Sequence, residues 1–316
     1  MALSKLLTYG LAILATWGLA RATLADAPPV KPPLELVVLG SGGPAATGRA
    51  ASSYLVLING TPRILVDAGP GAFARLGEAK LSLSATDIVL LTHLHIDHAG
   101  ELPGLFKASA VSGGGSRVFK VWGPEGSPEH SPGAYFPSTR RFLDLLFGKQ
   151  GAFAYLSDFA APITLEPHDL SAGPGNHLPA RVIYQDGDLA IRAIAGHHGD
   201  APAVIYRLDY AGKSITFSGD IDEQGLAQLR SIAHGSDLLV FNTVVLDPPG
   251  SPPVLYTLHT PPHAIGEVAK TTGVHTLLLS HLSPAVEGRH DEVVASIRQN
   301  YSGSVSFAVD LLRVVP

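Results

Sequence analysis

Not one cysteine occurs among the 316 residues. Thiolate zinc sites, cysteine nucleophiles and disulfides are therefore excluded, and any bound metal has to be held by nitrogen and oxygen. Charge is scarce as well. Only 16% of residues are charged against 46% hydrophobic, which fits a well-packed globular enzyme better than a disordered or fibrous chain. The net charge of −5 argues against broad electrostatic attraction to nucleic acid. Two nucleotide and nucleophile signatures are missing too. "LGSGGP" (Leu39 to Pro44) lacks the Gly-x-Gly-x-x-Gly spacing and reads as a tight turn, and "FSGD" (Phe217 to Asp220) is no Gly-x-Ser-x-Gly elbow. No repeat of solenoid period is visible.

The first residues have the pattern of an export signal. Lys5 supplies a positive start, Leu6 to Ala20 is apolar, and the small residues of Ala20 to Ala27 offer cleavage points. The apolar run falls short of the ~20 residues that a spanning helix prefers. The expectation is a signal peptide over residues 1–27, a periplasmic or secreted protein, and no membrane attachment after cleavage.

Alternating and continuous apolar runs predict strands over Leu34 to Gly40, Ser52 to Gly60, Pro62 to Gly71 and Asp87 to His93. Asn59-Gly60 is a hairpin signal. Helical composition covers Ala72 to Ser82, and a helix starts near Glu101. Further strands are predicted at Gly187 to Gly196, Ala203 to Tyr210, Lys213 to Asp220, Ser236 to Thr243, His275 to His281 and in the terminal "SVSFAVDLLRVV". Helices fall near Glu223 to Ala233, Pro262 to Thr271 and Glu287 to Gln299. Strands followed by helices in each half imply an α/β fold, a four-layer αβ/βα sandwich forming a single domain over residues 34–316. The segment at about 112–162 is rich in glycine and proline at first, then holds a capped helix from Ser138 to Gly148. It reads as an inserted lid, with ordinary core packing as the alternative for Phe142, Leu145, Leu146 and Phe147.

Chemistry concentrates in "THLHIDHAG", Thr92 to Gly100, which places three histidines and an aspartate within six residues. Alternation at a strand end lets His93 and His95 point the same way, while Asp97 and His98 in the following turn supply a second set. Neutral imidazole and carboxylate are good ligands for zinc and similar ions.

Thr-His-x-His-x-Asp-His resembles the signature of the metallo-β-lactamase superfamily. The resemblance implies the rest of the set. "LVDAGPG" gives Asp67, which supports the metal loop by hydrogen bonding. "FSGD" gives Asp220 as a bridging ligand, and "LLLSHLSP" gives His281. In "AGHHGDAPAVIYR" the family pattern favours His198, with His197 second. Two divalent ions, Zn2+ first, are then expected: His93, His95 and His198 around one, Asp97, His98 and His281 around the other, Asp220 between. Asp97 and His259 are the expected catalytic residues.

"YTLHTPPHAIGEVAKTTGVHTLLLSHLSP" (Tyr256 to Pro284) is similar to the ribonuclease Z and phosphodiesterase branch, in which the histidine matching His259 contacts the scissile phosphate. Thr260 and Pro261 also read as a helix cap and first helical residue. The implied function is a metal-dependent hydrolase acting on a phosphodiester-type small molecule. An export signal, acidic charge and the lack of a basic arm argue against nucleic acid as a partner. Lactone, aryl sulfate or β-lactam hydrolysis on the same site is the alternative. A metal-binding protein without catalysis, or an iron oxidoreductase, are the readings from other classes.

Overall fold

The computed structural model describes residues 31–112, 115–127, 133–159, 161–172 and 178–316. The expected signal peptide lies outside them. In chain order the first half runs β1 (Leu34–Gly40), β2 (Ser53–Ile58), β3 (Thr61–Ala68), α1 (Ala72–Glu78), β4 (Ile88–Leu90), α2 (Ile96–Ala99), α3 (Leu102–Val111), β5 (Arg117–Pro124), α4 (Thr139–Phe147) and β6 (Ile163–Leu170). The second half runs β7 (Arg181–Asp186), β8 (Leu189–Ala195), β9 (Val204–Tyr210), β10 (Lys213–Phe217), α5 (Leu226–Ala233), β11 (Leu238–Asn242), α6 (Pro262–Thr272), β12 (Thr276–Ser280), α7 (Pro284–Glu287), α8 (His290–Ile297), β13 (Ser304–Phe307) and β14 (Arg313–Val314).

These strands form two seven-stranded sheets, in the orders β14-β1-β2-β3-β4-β5-β6 and β13-β12-β11-β10-β9-β8-β7. Alternation sorts their side chains into three apolar layers. Leu36, Val38, Ile88 and Leu90 of one sheet meet Ile215, Phe217, Val240 and Leu278 of the other. Val37, Leu39, Val89 and Leu91 face α1 and α3 instead, with Leu102, Leu105 and Phe106. Leu239, Phe241, Leu277 and Leu279 face α5, α6 and α8. The four layers are thus helix, sheet, sheet, helix. Central strands are buried on both faces, which is why they read as continuous apolar runs.

Asn59 and Gly60 both take positive φ, 50° and 73°, and close the β2–β3 hairpin as the sequence predicts. The chain end differs from expectation. "SVSFAVDLLRVV" is not one strand: β13 ends the second sheet, and β14 crosses over to pair with β1 in the first. The segment at 112–162 is not a single lid either. β5 lies between β4 and β6, with Phe119 and Val121 in one apolar layer and Trp122 in the other. Ser138 caps α4 by accepting from the Arg141 amide, and Leu143, Phe142 and Phe147 pack onto that sheet. Among the described residues of this segment, Phe136 reaches the histidines, its ring centroid 5.6 Å from that of His95.

β3 and β4 run parallel, as do β10, β11 and β12. The segments after them therefore emerge at one rim, the usual place for a site in open α/β sheets. Buried bonds between the sheets tie that rim together. Tyr54 Oη donates to Ser280 Oγ at 2.7 Å, Tyr206 Oη to the Leu91 carbonyl at 3.0 Å, and the Val204 amide to the Thr92 carbonyl at 2.8 Å.

Candidate active site

Asp67, next to last in β3, has φ 54° and His281 follows β12 with φ 56°, two non-glycine residues in the left-handed region at one rim. Such conformations cost about 1–3 kcal/mol each and persist where surrounding structure fixes them. Asp67 supplies part of that structure. Its carboxylate accepts from the Thr92 amide (2.7 Å) and hydroxyl (2.8 Å), and its Oδ2 lies 2.8 Å from His98 Nδ1. A proton held on that Nδ1 leaves His98 Nε2 as the free donor atom, and Nε2 is buried with no hydrogen-bond partner. His198 is oriented in the same manner, its Nδ1 donating to the Leu258 carbonyl at 2.7 Å.

The structure brings all the expected ligand residues together. His95 Nδ1 lies 3.0 Å from His93 Nε2 and 3.3 Å from His198 Nε2. His281 Nε2 lies 3.1 Å from Asp97 Oδ2, and His98 Nε2 lies 3.7 Å from the same oxygen. Between these groups sits Asp220 Oδ2, 4.0 Å from His93, 3.6 Å from His98, 3.7 Å from His198 and 3.4 Å from His281. Two triads, His93–His95–His198 and Asp97–His98–His281, each hold their donor atoms within 4.8 Å of one another. Asp220 belongs with His93 and His98 and, separately, with His198 and His259.

Burial pulls the imidazoles of His93, His95 and His198 below their usual range. For Asp220 burial pushes upward, but His281 and His98 outweigh it and hold the carboxyl well below the usual range. His98 is the exception. Burial lowers it, yet the Asp220 and Asp67 carboxylates prevail and raise it well above the ordinary value. Neutral imidazoles around buried carboxylates, with positive charge favoured at their centre, are what divalent ions require of a nitrogen and oxygen donor set. The residues fit two such ions.

His198, and not His197, enters the cluster. His197 turns away, its Nδ1 2.8 Å from Asp222 Oδ2, while the Asp222 amide donates back to the His197 carbonyl at 2.9 Å. His259 is buried, its Nδ1 3.9 Å from Asp220 Oδ2. Burial first, and His281 and His198 against Asp220, leave it at about 4. It is a neutral imidazole at neutral pH, offering one N–H, and added cations lower it further. Thr260 is not a helix cap. Pro261 holds that position, and Thr260 Oγ1 donates to the Ile221 carbonyl at 2.9 Å, tying the His259 loop to the Asp220 loop.

Two contributors had no sequence signal. Asn242, at the end of β11, donates Nδ2–H to Asp220 Oδ1 at 2.6 Å. Asp222 holds His197 one residue from His198. Beside the cluster opens a cleft of about 450 Å3, walled by the histidines, Asp97, Asp220 and aliphatic side chains from the flanking loops.

The Beta-lactamase superfamily domain matches residues 62–282, well over half of the chain. Ribonuclease Z of Mycobacterium bovis (strain BCG / Pasteur 1173P2) is 27% identical over 289 residues, covering 89% of this chain and 98% of the relative. Ribonuclease Z of Mycobacterium marinum is 28% identical, with the same coverage of 89% and 98%. Among solved structures, the short form of human tRNase Z superposes with a TM-score of 0.68 at 20% identity, over 89% of this chain and 99% of that one. The metallo-β-lactamase fold protein YhfI from Bacillus subtilis gives 0.65 at 20% identity, over 90% and 99%.

These findings overturn one expectation from the sequence, that nucleic acid is to be discounted as a partner. The relatives that align nearly end to end are named as ribonucleases. The net charge misleads because it speaks only of the long-range field. It says nothing of a local cluster of nitrogen and oxygen donors such as the one described above. The two sheets, the helices outside them and the matched domain agree: the chain belongs to the metallo-β-lactamase superfamily and is a metal-dependent hydrolase, with ribonuclease Z proteins among its relatives.

Proposed function

We propose that the protein is a two-metal phosphodiesterase acting on RNA phosphodiester bonds, with Zn2+ as its metal. The observation that carries the reading is the convergence of both donor triads on Asp220 Oδ2, with His259 beside it on the wall of an open cleft. Divalent ions bound there lower the pKa of water from 15.7 toward roughly 7 and polarise a phosphoryl oxygen. The chain's own residues do the rest. Asp220, fixed by Asn242, presents one oxygen to the centre. His198 and His98 present Nε2 because Leu258 and Asp67 occupy their other nitrogens. His259 is placed to donate its N–H to an oxygen of the phosphodiester as negative charge grows there, an interaction worth on the order of 10²–10³ in rate where such donors have been removed.

The test uses zinc-loaded protein, a short single-stranded RNA and bis(p-nitrophenyl) phosphate. Wild type is expected to cut both, His259→Ala to lose about two to three orders of magnitude with both metals retained, and Asp220→Asn to fall to background. Wild-type rates in the metal-loaded His259→Ala protein, or no cleavage of either substrate, contradict the reading.

A further inference from the structure

The cleft beside the cluster has a chemical character that the hydrolytic residues do not explain. Its lining includes the apolar side chains of Ile96, Val244, Leu255, Leu258, Leu282 and Pro284. Among the described residues that line it none is lysine or arginine, and the acids are Asp97 and Asp220. Ile96 stands between His95 and Asp97 and is 74% exposed. A large aliphatic side chain is kept in solvent there, on the very turn that carries the expected ligands. Leu258 is held by the same bond that orients His198, since its carbonyl accepts from His198 Nδ1. The apolar side chains and the cluster thus line one cleft and are joined at Leu258.

An apolar wall of this kind gains by covering apolar surface, roughly 25 cal/mol per Å2. It gives nothing to a second phosphate, which it could only strip of water without a compensating cation. A cleft of about 450 Å3 holds a ring together with the phosphoryl group that bears it.

We infer that this cleft is a subsite for one flat, uncharged ring carried next to the scissile phosphoryl group, seated against Ile96, Leu255 and Leu258. In RNA that ring is a single base taken out of its stack; in a small diester it is an aryl group. The inference rests on the phosphodiesterase reading for the chemistry at phosphorus, but concerns what lies beside it.

Binding, without turnover, tests it. Isothermal titration of the zinc-loaded protein with phenylphosphonate and with methylphosphonate compares a ring with a methyl group on the same anion. Phenylphosphonate is expected to bind at least about tenfold more tightly, and uridine 5′-phosphate to share that advantage. Leu258→Asn and, as a surface variant with no core to disturb, Ile96→Ser are expected to bring the ratio below about threefold. Equal affinity for the two phosphonates, binding of neither, or an unchanged ratio in both variants overturns the subsite. A phenylphosphonate advantage in which uridine 5′-phosphate does not share overturns the base assignment. Ring discrimination in a protein that cuts no phosphodiester leaves the subsite standing and removes the reading of the reaction.

Discussion

Asn242 Nδ2 donates to Asp220 Oδ1 at 2.6 Å, and the other oxygen of the same carboxylate faces five imidazoles at 3.4–4.0 Å. The amide thus decides which way the central carboxylate is turned. Groups that orient metal ligands in this manner are typically worth about 10–100-fold in affinity. Asn242→Ala is expected to weaken zinc by that order in a chelator competition, while circular dichroism stays that of the wild type. Unchanged affinity would mean that the neighbouring imidazoles alone hold Asp220.

His197 and His198 are adjacent yet do different things. His198→Ala is expected to lower bound zinc by about one equivalent. His197→Ala is expected to keep the full complement, but to leave the buried Asp222 carboxylate short of a partner, at a cost of about 1–3 kcal/mol. Metal analysis by mass spectrometry and urea melts of the two variants separate these effects. Loss of metal in His197→Ala with metal kept in His198→Ala would reverse the assignment.

Gly43 borders the cleft under the ring of His281. A Cβ placed there would lie 2.5 Å from Cε1 and 2.8 Å from Nδ1 of His281. His281 cannot retreat freely, since its own backbone sits at positive φ and its neighbour Leu282 donates to the Ser41 carbonyl at 2.9 Å. Gly43→Ala is expected to lower metal affinity at least about tenfold with little change in melting temperature. A variant with native metal content would show that the turn yields instead.

Asp310, outside the set of expected ligands, is predicted to be an acid-sensitive anchor. It accepts from the Ala50 amide (2.8 Å), the Ser41 amide (3.0 Å), the Ser41 hydroxyl (2.7 Å) and Arg75 Nε (2.9 Å). Burial pushes its carboxyl up, but these donors outweigh it and hold it below the usual value. A depressed folded-state pKa contributes stability that is complete above the unfolded value, about 4, and lost as pH falls through the folded one. Asp310→Asn should therefore destabilise by about 1–3 kcal/mol at pH 7, and the gap to wild type should narrow near pH 3. Urea midpoints at the two pH values check this; a gap that stays constant would locate the effect in packing.

The residues that were legible in the sequence owe it to different signals. Ligand types crowd in "THLHIDH", so spacing alone marks His93, His95, Asp97 and His98, whereas Asp220 and His281 stand singly after apolar runs and are named through the family resemblance of "FSGD" and "LLLSHLSP". Asn242 and Asp222 carry no such mark. A lone asparagine at a strand end and an aspartate beginning a short 3-10 turn look like ordinary loop residues until the fold brings them to the site. Among strands, β5, β6 and β7 were not anticipated; β5 lies in the stretch read as a lid. β6 is an edge strand with Pro167 within it and partly exposed side chains, and β7 is the edge strand of the other sheet, mostly exposed, so neither has a long apolar run. β14 pairs with β1, Leu36 against Val314 and Val37 against Arg313, a contact between the two ends of the described chain that no local pattern can announce.

The central claim is that two metals act together on a phosphodiester. Metal-stripped protein titrated with zinc, with RNA cleavage followed at each addition, tests it most directly. The account predicts negligible cleavage without metal and a rate that climbs until about two equivalents are bound, with Asp220→Asn inactive throughout. Full activity at one equivalent, or cleavage by the metal-free protein, would contradict it.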